Sequence, residues 1–307
     1  MLGRVTQRSI ALNSLTNLQA AQARSSKLQE QLTSGKAYAK PSDNPVAAGN
    51  ALRLHEQVAV NTEHARNIGD AQAWMTTQEN ALDGALSALQ KVRDLTVQAA
   101  STGSNDGKAR AAIAIELGEI KNQLLSAANT THQGRPVFAG TSDKTEAYVV
   151  GADADGKPLY TSRDNGQPVT RTVGPGQELQ VNISGAAVFG GSADGTTSSV
   201  FAEIDSLIAA VNGNDGAAIS DKLSVIDDRL GKVLNGLATV GARVNQLDAL
   251  QEAGTTRADF LAAQLDEVEG VDLAKTFVEY NLQSTAYQAA LQSTAQVIQP
   301  TLLDFLR

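Results

Sequence analysis

Apolar residues recur at helical spacing through most of the chain. Leu15, Leu18, Leu28 and Leu32 fall on one face at intervals near 3.5 residues. Leu82, Leu86 and Leu89 repeat the pattern with Leu95 nearby, and Ile113, Leu117, Ile120, Leu124 and Ala128 give the clearest stripe. After residue 200 the period returns: Phe201, Ile204, Leu207, Ile208 and Val211 predict a short helix. Leu223, Ile226, Leu230, Val233, Leu237, Val240, Val244 and Leu247 open a long one running to about Val268. A last helix follows Gly270. In it Phe277, Ser284, Leu291 and Ile298 recur every seven residues, with Leu273, Tyr280, Tyr287 and Thr294 in the companion positions.

Between 134 and 199 the pattern changes. Four of the seven prolines and eleven of the 26 glycines lie there, whereas 46–135 and 176–299 contain no proline. The period drops to two in Val169–Val173 and Leu179–Ile183, and Asp155-Gly156, Asn165-Gly166 and Pro175-Gly176 supply turns. Helix starts are expected at Ser42-Asp43, with Pro45 in the first turn, and at Ser104-Asn105-Asp106.

The order of helices, β insert and helices predicts a mainly α protein with a small antiparallel β insert. It reads as an elongated rod. Residues 1–42 and 270–307 are the terminal helices, an antiparallel coiled-coil pair. Residues 43–135 and 200–269 form a helical bundle in the middle, and 136–199 a β-rich outer domain. The expected packing residues of the ends are Leu15, Leu18, Leu28, Leu32, Leu273, Phe277, Tyr280, Leu291 and Ile298.

Charge sharpens the reading of those ends. No charged residue lies between Glu279 and Asp304; Asn281, Gln283, Ser284, Thr285, Gln288 and Gln292 stand where a solvated helix carries Lys and Glu. Such groups can be buried at far lower cost than a charge, provided each finds a hydrogen-bond partner. The first forty residues carry a net +5 and Glu269–Arg307 a net −2. Both helices therefore read as surfaces that other subunits cover. Alone, such a pair buries little and is marginal.

Composition excludes several chemistries. The formal net charge of −8 argues against a general nucleic-acid binder, and zero cysteine removes disulfides and thiolate chemistry. Residues 1–35 lack the continuous apolar run of a secretory leader, and no stretch reaches the ~20 apolar residues of a membrane span. His55-Glu56 begins like a zinc-protease helix but lacks the second histidine. Asp153-Ala154-Asp155-Gly156 resembles half a calcium loop without its closing Glu and reads as a turn. Asp227-Asp228 reads as solvated helix face and Trp74 as core. No catalytic, cofactor or metal site is expected.

Three stretches carry a family resemblance. Leu28-Gln29-Glu30-Gln31-Leu32-Thr33-Ser34-Gly35-Lys36, followed by Pro41-Ser42-Asp43-Asn44-Pro45-Val46-Ala47-Ala48, resembles the N-terminal region of the bacterial flagellin family. The Pro-Ser-Asp-Asn-Pro form is more similar to the members that join hook to filament, where a second Asp usually stands in place of Asn44. Gly134–Gly140, with Phe138 and Gly140, resembles the Gly-x-x-Φ-Phe-x-Gly signature of those members, Pro136 departing from the usual aromatic. The ending Leu302–Arg307 is similar as well. The resemblance implies a structural protein of the extracellular flagellum, exported by the flagellar type III apparatus with a chaperone and without a cleaved signal peptide. It further implies a homo-oligomeric ring between a hook-associated protein and flagellin, with Gly35, Pro41, Ser42, Asp43, Pro45, Phe138 and Gly140 as motif residues.

Overall fold

A computed structural model of the chain describes residues 2–101, 107–153 and 155–298; side chains of 2–8, 10, 11 and 296–298 lie outside the description. Among these residues seven α-helices run in chain order: α1 (Leu2–Ser34), α2 (Pro45–Ala100), α3 (Gly107–Ala128), α4 (Gly185–Phe189), α5 (Val200–Gly213), α6 (Gly216–Glu269) and α7 (Leu273–Ile298). Six short strands lie between α3 and α4: β1 (Thr131–His132), β2 (Arg135–Pro136), β3 (Tyr148–Ala152), β4 (Pro158–Ser162), β5 (Thr170–Gly174) and β6 (Gln177–Gln180). The protein is thus mainly helical with a small antiparallel β part. The chain divides into two compact units, residues 61–256 and residues 1–60 with 257–307.

The unit 61–256 holds a continuous apolar core. On α2, Ile68, Ala71, Met75, Leu82, Ala85, Leu89 and Val92 turn inward. On α3 the buried apolar residues are Ile113, Ala114, Leu117, Ile120, Leu124 and Ala128, the expected stripe with Ala114 added. The apolar α6 side chains buried in this unit step by sevens: Ile219, Ile226, Val233, Val240 and Leu247. A strict seven-residue repeat keeps one seam facing its partners along a long helix. Each fully buried Leu, Ile or Phe contributes about 1.5–3 kcal/mol. Trp74 is buried in this core, its ring edge-on to His132.

The β part is three separate two-stranded ladders: β1 with β2, β3 with β4, and β5 with β6. The first turns through Gln133 and Gly134, both at positive φ, as a two-residue primed turn requires. Asp153 closes the β3–β4 turn by accepting from the backbone N–H groups of Asp155 and Lys157. The β5–β6 ladder uses the Pro175-Gly176 turn. Its extension is made by a side chain: Val169 N–H donates to Asn182 Oδ1 while Val181 N–H donates to the Val169 carbonyl.

An aromatic cluster ties this region to the helices. Phe189 packs edge-on against Phe138 and Tyr148, and Tyr148 against Phe201. The buried Tyr148 hydroxyl donates to the Gly190 carbonyl, and burial pushes its pKa well up. Beside it Arg229 of α6 and Glu203 of α5 form a buried, two-pronged ion pair. Arg229 Nε lies 2.9 Å from Glu203 Oε2, and Nη2 lies 2.7 Å from Oε1 and 3.0 Å from the Ser198 carbonyl.

Two expected helix starts need comment. Asn44, not Ser42 or Asp43, caps α2: its side chain accepts from Ala47 N–H at 3.1 Å, and Pro45 takes the first helical position. Ser42 and Asp43 form the preceding turn, closed by Asp43 N–H on the Lys40 carbonyl. The expected start at Ser104-Asn105-Asp106 lies outside the described residues.

Candidate functional site

In the unit 1–60 with 257–307, α1 and α7 lie antiparallel. α1 ends at Gly35, whose φ of +69° is a left-handed conformation that a side chain resists. An antiparallel bridge between Lys36 and Gly270 then joins the two segments: Ala37 N–H donates to the Glu269 carbonyl at 2.7 Å and Val271 N–H to the Gly35 carbonyl at 3.1 Å. Asp272 starts α7 as an N-cap, its side chain accepting from Lys275 N–H. Glu269 sits at the junction with Lys36 Nζ 2.8 Å from one carboxylate oxygen and His55 Nε2 3.1 Å from the other. The Lys36 hydrogen bond holds this carboxyl below the usual carboxylate range, with His55 adding to it and burial opposing.

The pair has its own seam. Half-buried positions on α1 are Ser14, Leu18, Ala21, Ser25, Leu28, Gln31 and Leu32; on α7 they are Thr276 (buried), Tyr280, Gln283, Ser284, Tyr287, Ala290 and Thr294. Apart from Gln31 and Ser284, each next to a seam residue, both series alternate steps of four and three, the pattern of a coiled-coil seam. Gln283 Nε2 donates to the Ala21 carbonyl at 3.2 Å, so a polar residue of the seam is satisfied across the pair.

Of the expected packing residues, Leu18, Leu28, Leu32 and Tyr280 lie in this seam. Leu15, Leu273, Phe277 and Leu291 remain 43–58% exposed, and the side chain of Ile298 is not among those described. The sequence spacing places the Phe277 and Tyr280 series in one seam; in the structure Tyr280, Tyr287 and Thr294 face α1 with Thr276, Gln283 and Ala290 as their companions, while Leu273, Phe277 and Leu291 stay exposed. Leu12, Val278 and Leu282 are exposed as well.

The motif residues have local roles. Gly35 supplies the helix stop; Pro41, Ser42 and Asp43 make the turn before α2, and Pro45 is its first residue. In the unit 61–256, Phe138 is fully buried. Gly140 has φ +64°, and a Cβ there would stand 2.5 Å from Asn165 Oδ1. Sequence reasoning named Gln283 among the polar residues fit for burial and Asn44 only as a motif position, and did not single out Glu269, Asp272 or Thr276. Asn44 and Asp272 carried a signal, each an N-capping residue type directly before a helix; the pairing of Glu269 carried none.

The residues weighed for chemistry have other partners. His55 bonds Glu269, Asp227 pairs with Arg93 Nε at 2.7 Å, and Asp228 with Lys232 one turn on. Among the described residues no helix is long and apolar enough to cross a membrane.

Residues 5–143 match the bacterial flagellin N-terminal helical region. Over 292 residues the chain is 29% identical to flagellar hook-associated protein 3 of Escherichia coli K12, covering 89% of this chain and 90% of that one. The chain is a relative of flagellar hook-associated protein 3. It is also 26% identical to the flagellin of Bacillus subtilis 168, covering 99% of this chain and 100% of that one. The solved structure of flagellar hook-associated protein 3 from Legionella pneumophila superposes with a TM-score of 0.62 over 70% of this chain and 98% of its own, at 17% identity, a likeness of fold alone. Relatedness to hook-associated protein 3 and to flagellin agrees with a structural role in the flagellum.

Proposed function

We propose that this chain is a non-enzymatic structural protein of the bacterial flagellum that joins hook to filament. The observation that carries the proposal is the likeness to flagellar hook-associated protein 3 along nine-tenths of both chains. The α1–α7 pair supports it physically. That pair has one internal seam, yet it leaves Leu15, Phe277, Leu291 and their neighbours open to solvent, and burial of such residues against other copies favours assembly. In this reading residues 1–42 and 270–307 are the assembly layer, 43–135 and 200–269 the bundle, and 136–199 the surface part. Copies form a ring whose neighbours are another hook-associated protein on one side and flagellin on the other. The chain reaches the cell exterior through the flagellar export apparatus, with a chaperone.

Electron microscopy of a strain lacking this chain tests the proposal. Hooks without filaments, with flagellin lost to the medium, are expected. Filaments of normal length on intact hooks would refute it. A second reading, a filament subunit, draws on the end-to-end match to the Bacillus flagellin. It requires the purified chain to polymerise alone into long filaments; the junction reading requires that it does not.

A further inference from the structure

Three polar atoms buried in the unit 61–256 have no hydrogen-bond partner within the chain: Trp74 Nε1, Gln78 Oε1 and His132 Nε2. They come from one place in the fold. Trp74 and Gln78 stand one turn apart on α2, and both side chains are buried. The β1–β2 hairpin packs on that turn. The His132 ring is edge-on to Trp74, with centroids 5.6 Å apart, and its Nδ1 lies 3.2 Å from Thr77 Oγ1. Gln78 Nε2 donates to the carbonyl of Val137, directly after β2, at 2.7 Å.

The bonds already made fix what each of the three atoms needs. The Thr77 hydroxyl donates its one hydrogen to the Ala73 carbonyl at 2.8 Å, so toward His132 it can only accept. The neutral His132 ring therefore carries its hydrogen on Nδ1, and Nε2 is left as an acceptor. The Val137 carbonyl accepts from the Gln78 amide nitrogen, which settles the orientation of that amide and leaves Oε1 as a second acceptor. The Trp74 N–H can only donate. One donor and two acceptors thus share this patch, and the donor bonds neither acceptor directly.

We infer that one water molecule is bound here, accepting from Trp74 Nε1–H and donating to Gln78 Oε1 and His132 Nε2. A water has two hydrogens to give and a lone pair to receive a third bond, so it satisfies all three atoms at once. A metal cation would suit the two acceptors and face the indole N–H. An anion would suit the indole and face two acceptors. Buried waters typically make about three hydrogen bonds to groups that otherwise lack partners. In this place the water joins α2 to the hairpin that opens the Gly134–Gly140 stretch, alongside the direct bonds of Thr77 and Gln78. The site belongs to the single chain and is independent of the assembly reading.

Trp74 is the only tryptophan, so its indole N–H gives a single nuclear magnetic resonance signal. A water-selective Overhauser measurement on the isotope-labelled full chain should show a cross-peak between water and this proton, with the sign of a long-lived bound molecule. Nitrogen shifts should show His132 protonated at Nδ1 and bare at Nε2, its signals being identified by their loss in His132→Phe. Gln78→Leu and His132→Phe each remove one acceptor and should at least halve the cross-peak. Thr77→Val removes the nearby hydroxyl and should leave the cross-peak in place. A missing cross-peak in the unmodified chain, the His132 hydrogen on Nε2, a cross-peak undiminished in both acceptor variants, or one lost in Thr77→Val would each overturn the assignment. Should an acceptor variant fail to fold, as its melting curve shows, the first two readings on the unmodified chain still decide.

Discussion

Replacing Arg229 by Leu should destabilise the unit 61–256 by about 3–5 kcal/mol, the cost of stranding one member of a buried ion pair. The guanidinium makes two short bonds to the Glu203 carboxylate and one to the Ser198 carbonyl, and both side chains are only 9% exposed. The neighbouring carboxylate, ahead of the opposing effect of burial, pushes the Arg229 pKa upward, so the pair stays ionised. Removing Arg229 strips three hydrogen bonds from the site and leaves a carboxylate facing apolar neighbours. The double variant Arg229→Met with Glu203→Leu removes both charges and should recover most of the loss. Arg229→Lys should fall between, because an ammonium keeps the charge but not the fork. Urea unfolding followed by fluorescence is suited to this, since Trp74 is the only tryptophan and belongs to the same core. A loss below about 1 kcal/mol for Arg229→Leu, or a double variant as unstable as the single one, would refute the reasoning.

The remaining expectations are smaller. Gly35→Ala should cost the α1–α7 pair about 1–2 kcal/mol through left-handed strain alone, because nothing stands within 4 Å of the added Cβ; a thermal melt by circular dichroism measures it. Asn44→Ala should cost about 1 kcal/mol by losing the cap of α2, whereas Asn44→Asp should cost little, which the same melt compares. Glu269 has a lowered carboxyl pKa, so the stabilisation it gives is present above the unfolded value of 4.5 and is lost as pH falls through the lower folded value. Glu269→Gln should flatten that part of the acid-unfolding curve, and an unchanged curve would count against the Lys36–Glu269–His55 arrangement.

Local periodicity made much of this protein readable from its sequence. The α3 stripe, the seven-residue steps of α6, the switch to period two near residue 170 and the turns at Asp155-Gly156 and Pro175-Gly176 each arise within one or two turns of chain. Their geometry depends on few neighbours. The lack of charge between Glu279 and Asp304, the net +5 of the first forty residues and the Pro-Ser-Asp-Asn-Pro stretch were equally legible. What the tertiary structure alone decided was partner choice. The α7 spacing puts Phe277 and Leu291 in the seam beside Tyr280 and Tyr287; packing on α1 keeps the tyrosines and takes Thr276, Gln283 and Ala290 as their companions instead. Asp227 lies on a solvated face, as its sequence suggested, and there bonds Arg93, 134 positions away, a partner that spacing does not reveal. Glu203 with Arg229, and Glu269 with Lys36 and His55, carry no signature in sequence. The reason is physical: a helical face follows from the regular turn of the backbone, whereas an ion pair depends on which distant faces the packed core brings within about 3 Å.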